Sequence, residues 1–98
     1  MIELAKKIIS HTLQGMDFAL SAEELEAGIV GFMLEDLGTG SAERYAPIAA
    51  QIRAAIHFEP NRTKILCDVA ESNYDDAAVM KNGQNLVDNI VLLLERVQ

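Results

Sequence analysis

The 98-residue sequence predicts an all-α domain, an antiparallel four-helix bundle with short loops, and three observations predict it. Apolar residues recur mainly at intervals of three and four rather than two, the period of a helix face. Half of the residues are hydrophobic but only 5% are aromatic, which favours aliphatic helix packing. Only two prolines, Pro47 and Pro60, interrupt the chain, too few for a turn-rich β domain. A chain this short buries about 60 to 65% of its unfolded surface and cannot divide that between two cores, so residues 1–98 read as one domain.

The first helix occupies Met1 to Leu13, with Ile2, Ala5, Ile9 and Leu13 on one face and Glu3, Lys6, Lys7, Ser10 and Gln14 on the other. Glu3 and Lys7 have the i,i+4 spacing of a favourable pair, and Gly15 then punctuates the chain. Ser21 with Glu24 three residues on has the pattern of a capping box, followed by a helix from Ala22 to Leu37. Val30 and Leu34 make that helix apolar on more than one side, so it reads as the central one, with Gly28 and Gly31 marking close approaches by neighbouring helices.

Gly38 suits the left-handed position after a helix, and Ser41 suits the cap of the next one. That third helix runs to about Phe58, with Tyr45, Ala49, Ile52 and Ile56 facing inward and Pro47 tolerable only in the first turn. Glu59, Pro60 and Asn61 end it. From Thr63 to Tyr74 two patterns compete: Ile65, Cys67 and Val69 alternate as in a strand, while Ile65, Leu66, Val69 and Ala70 suit a short helix, which we favour. Leu86, Val87, Ile90, Leu93, Leu94 and Val97 define a last helix.

Fifteen acids against eight bases give a formal net charge of −7. Such an excess repels phosphates, so direct nucleic-acid binding is not expected. The acids gather in two stretches without intervening bases: Asp17, Glu23, Glu24, Glu26, Glu35 and Asp36, then Asp68, Glu71, Asp75 and Asp76. Each is a candidate acidic surface. No apolar run reaches the roughly 18 residues of a membrane span, and the opening residues do not form a signal peptide. A cytoplasmic location is expected, which the solitary Cys67 suits because it has no disulfide partner in the chain.

Groups for catalysis do not assemble in the pattern. His11 and His57 fall on different helices without a second ligand at i+3 or i+4, and one cysteine cannot build a structural zinc site. Gly38 and Gly40 lack the lysine of a phosphate loop, and Asp75 and Asp76 lack the alternating oxygen ligands of a calcium loop. Cys67, between Leu66 and Asp68, reads as a core residue. The expectation is a binding protein rather than an enzyme, without cofactor or metal.

The opening Met1-Ile2-Glu3-Leu4-Ala5-Lys6, followed at fixed spacing by Gly15-Met16-Asp17-Phe18, resembles the colicin D immunity protein family. Ala54-Ala55, Phe58-Glu59-Pro60, Asn82-Gly83 and Leu94-Glu95-Arg96 extend the likeness along the chain. The resemblance implies an α-helical protein that binds a toxin nuclease domain and covers its basic active site with acidic side chains; a monomer or weak homodimer is expected. It implies a contact role for Glu59. Where the family has acids, this chain has Ile56 and Asn61, so Asp68, Glu71, Asp75 and Asp76 would supply the negative surface, with the stretch from Asp17 to Asp36 as the second candidate. The chain is also similar to acyl carrier proteins, in Lys6-Lys7-Ile8-Ile9 and in Glu35-Asp36-Leu37-Gly38 ahead of Ser41. The attachment triplet there is degenerate, Gly40-Ser41-Ala42, and Arg44, Pro47 and Arg53 replace the acidic helix that follows. A generic helical adaptor is the third alternative.

Overall fold

Ile2, Leu4, Ala5, Ile8, Ile9 and Leu13 wind into α1 (Ile2–Asp17), whose apolar stripe the rest of the chain wraps. The computed structural model describes residues 1–73 and 75–97, with the side chain of residue 76 excepted. These residues are all helical in their regular structure: α2 (Ala22–Leu37), α3 (Ala42–His57), α4 (Arg62–Glu71), a 3₁₀ turn (Asp76–Ala78), α5 (Val79–Asn82) and α6 (Gln84–Glu95) follow α1. The described residues hold six α-helices where a four-helix bundle was expected: the Thr63 segment is helical, as favoured, and the short α5 precedes the last helix. The helical pattern prevails over the alternating one in α4 because Ile65 and Val69, four apart, turn together into the core.

Gly15 does not stop α1. It is buried, and a Cβ there would press against the side chains of Leu25 and Leu20, so its role is to admit α2 rather than to end α1. The turn comes at Phe18 and at Ala19, which holds a left-handed φ of 59°. Ser21 then starts α2 as anticipated: its Oγ accepts from the Glu24 amide at 3.1 Å, and Glu24 Oε1 accepts from the Ser21 amide at 3.2 Å. Gly38, at φ 63°, closes the helix in the left-handed region. Ser41 Oγ accepts from the Arg44 amide at 3.3 Å and opens α3. Pro47 lies inside α3, beyond the first turn expected for it; it shares the exposed side with Glu43, where water can serve the carbonyl that lacks its partner amide.

One continuous core joins Ile8, Ile9 and Leu13 to Ile29 and Met33, to Tyr45, Ile52 and Ile56, to Ile65 and Val69, and to Leu86, Ile90 and Leu94. α1 packs against every other helix, whereas the contacts of α2 are chiefly with α1 and α3. The central helix is therefore α1, not α2. On the α1 side of α2 the expected close approach exists, since a Cβ on Gly28 would sit 3.2 Å from His11 Nε2. At Gly31 it does not: a Cβ there would meet nothing within 4 Å. Among the described residues the second apolar side of α2, around Gly31 and Leu34, is only partly covered.

Candidate interaction surfaces

Asp68 leaves the list of candidate contact residues. It is 8% exposed, because the spacing that turns Ile65 and Val69 inward carries Asp68 with them. Its Oδ2 accepts from Asn82 Nδ2 at 2.6 Å and its Oδ1 lies 3.6 Å from Lys81 Nζ, tying α4 to α5. A buried carboxylate needs such partners, and these are internal. Glu71 and Asp75 remain exposed, with Asp75 Oδ1 accepting from the Ala77 amide at 3.0 Å to cap the 3₁₀ turn. The side chain of Asp76 lies outside the described residues. Glu59 is half-buried and folds onto its own turn, accepting from the Asn61 amide at 3.3 Å.

In the first stretch the chain neutralises two of six acids. Asp36 Oδ2 is 3.3 Å from Lys7 Nζ, which explains why Glu3 pairs with Lys6 at 2.8 Å instead of with Lys7: the Lys7 ammonium reaches across α2 and lies 5.8 Å from the Phe32 ring centre. Glu26 Oε1 accepts from Arg53 Nε at 2.8 Å, bracing α2 against α3. Glu24 serves the α2 cap. Asp17, Glu23 and Glu35 are exposed and have no ion pair among the described residues.

Between α2 and α3 runs an open groove of about 450 Å³ whose walls are Ala27, Val30, Gly31 and Leu34 on one helix and Ala42 and Ala46 on the other. Glu23 and Glu26 line it as well, and exposed Glu43 is next to Ala42 in the chain. Val30 and Leu34 mark this second apolar side of the helix in the sequence, which suggests a central helix; Ala27, Ala42 and Ala46 carry no such signal there. A second groove, of about 490 Å³, opens where α1 and α3 end and α4 begins. Leu13, Leu20, Leu25 and Leu66 supply its apolar wall, and Asp17, Arg53, His57 and Arg62 its polar one. Charges of both signs line it: Arg53 is paired with Glu26, while Arg62, whose Nη1 donates to the His57 carbonyl at 2.8 Å, and Asp17 have no ion pair among the described residues. Phe18 and Phe58, 67% and 77% exposed, follow two of its lining residues in the chain.

Among the described residues, reactive side chains do not converge. His11 packs edge-on against Phe32 at 5.0 Å, and His57 against Phe58 at 4.7 Å with Nδ1 facing Arg62 Nη1 at 3.1 Å. Cys67 is exposed rather than core, because it falls on the outer side of α4 next to inward Asp68. Ser41 caps α3. Among the described residues no three His, Cys, Asp or Glu side chains could hold a metal ion, and no helix is long and apolar enough to cross a membrane. No protein-family model, curated protein or solved structure matches the chain.

Proposed function

We propose that this chain is an immunity-type inhibitor that binds a basic toxin nuclease domain, tRNase-like in its target, and covers the active site with acidic side chains. The observation that carries the reading is the set of exposed carboxylates, Glu23 and Glu35 on α2 with Glu71 at the end of α4 and Asp75 just beyond it, that no cation among the described residues neutralises. A nuclease cleft must be positively charged to hold RNA, so a surface of this kind gains both steering and complementarity. The resemblance of residues 1–18 to the colicin D immunity family points the same way. On this reading the protein is not an enzyme; it works in the cytoplasm without cofactor, as a monomer or weak homodimer. The carrier reading has less support, since the Ser41 hydroxyl is engaged in capping α3 and Arg44 is next to it on the helix.

The test is co-expression with a candidate toxin, a basic tRNase-like nuclease domain. The chain should restore growth and bind the isolated toxin domain in calorimetry, with an affinity that falls as salt rises. Neither rescue nor binding would end the proposal.

A further inference from the structure

We infer that the groove between α2 and α3 is the seat for a basic amphipathic helix of the partner protein. The inference rests on the reading of that partner as a basic protein, and it names the element that engages. Three features of the groove converge on such an occupant.

The first is shape. Val30 and Leu34 give it apolar depth, while Ala27, Gly31, Ala42 and Ala46 keep its walls low enough for a backbone to come close. The second is the glycine. Inside a helix, glycine is less favourable than any residue except proline, and Gly31 receives nothing in return among the described residues, since a Cβ there would meet nothing within 4 Å. Gly28, three residues earlier, shows the same residue type at work against a real neighbour, His11. An incoming helix gives Gly31 the corresponding role. The third is charge. Glu23 lines the groove with no ion pair among the described residues, Glu26 lines it paired with Arg53, and Glu24, Glu35 and Glu43 are exposed elsewhere on the same two helices. Of the cations on α3, Arg53 is taken by Glu26, and Arg44 is drawn away to the Val97 carbonyl at 3.1 Å. A second copy of this chain would bring the same acids face to face, which like-charge repulsion disfavours. A helix with one apolar row and flanking lysines or arginines satisfies both the walls and the rim.

The experiment titrates isotope-labelled full chain with a synthetic peptide of about 18 residues, five turns of helix with one leucine row and flanking lysines. A scrambled peptide of the same composition, without the row, is the control. Amide shifts should concentrate at Ala27, Gly31, Leu34, Ala42 and Ala46, and only for the amphipathic peptide. Gly31→Gln, whose side chain enters the groove from a position with free space, should leave the chain folded and weaken binding about tenfold, the loss of one well-packed anchor. Equal shifts with the scrambled peptide, shifts spread over all the acids, unchanged affinity in Gly31→Gln, or dimerisation through this face would overturn the inference. The toxin separates the two readings. If Gly31→Gln protects cells and binds toxin as well as the parent does, the groove is not the contact and the inhibitor reading survives. If the parent fails to bind toxin yet takes the peptide in the groove, the inhibitor reading falls and the helix-docking surface stands.

Discussion

Replacing Gly31 by alanine should make the protein more stable, and its size can be worked from the surroundings. In the interior of α2 the substitution removes the entropic cost of ordering a glycine, a gain of about 0.8 to 1.0 kcal/mol. No clash subtracts from it, since the new methyl would meet nothing within 4 Å, and no packing adds to it. For a chain of 98 residues that gain corresponds to a rise in Tm of about 4 to 8 °C. Gly28→Ala is the internal control: it carries the same unfolded-state effect, but its methyl would press on His11 Nε2 at 3.2 Å and should gain less. The assay is urea unfolding followed by far-UV circular dichroism, in which the midpoint should move while the slope stays fixed. A Gly31→Ala midpoint at or below the parent's, or one no higher than that of Gly28→Ala, would refute the claim that this side of α2 is vacant.

Other substitutions probe separate parts of the fold and surface. Gly40→Ala would drive a methyl into the ring of fully buried Tyr45, and should cost about 1 to 3 kcal/mol in the same unfolding assay. Thr12 is buried with its hydroxyl unpaired, so Thr12→Val, nearly the same shape, should raise stability by about 1 kcal/mol; a lower Tm in a thermal melt would reveal a partner for that oxygen. Asp68→Ala removes the acceptor for Asn82 and should cost about 1 to 3 kcal/mol while leaving affinity for the toxin unchanged, as compared by calorimetry on the folded variant. Reversing Glu23 and Glu35 together to lysine should weaken toxin binding and flatten its salt dependence, measured as calorimetric affinity across a range of ionic strength.

The starts of α2 and α3 and the end of α2 were legible because each is a local chemical event: Ser21 and Glu24 satisfy one another's amides, Ser41 caps α3, and Gly38 closes α2 in the left-handed region. Glycine was harder to read away from turns. Gly15, Gly28 and Gly31 all announce that something is close or that the helix is weak, and only the third dimension tells the packed Gly15 and Gly28 from the open Gly31. The acids were countable, but their partners were not. Glu26 meets Arg53 across 27 residues and Lys7 meets Asp36 across 29, distances over which sequence spacing says nothing. Asp68 is a different kind of error. Its place three after Ile65 and one before Val69 put it on the inward stripe of a helix, so the signal was present, and counting charge without phase missed it.

Carboxylates alone make a weak plug. Exposed ion pairs contribute about 0 to 1 kcal/mol each, and at physiological salt their reach ends near 8 Å. A toxin held only by Glu23, Glu35, Glu71 and Asp75 would arrive quickly and leave quickly. Lasting neutralisation needs apolar surface that loses its water on contact, with the charges around it. The groove near the end of α1 has the apolar surface, but Arg53 and Arg62 line it with Asp17 as the one acid of its lining, so it offers no excess of negative charge to a basic partner. Glu71 and Asp75 have the field, but the apolar residues of α4 beside them, Ile65 and Val69, are buried. Among the described residues the two requirements coincide on α2 and α3, where Leu34 and Val30 lie on the same helix as carboxylates that nothing in the chain neutralises. Charge at Glu23 and Glu35 should therefore govern the rate of association, and the space above Gly31 the rate of release.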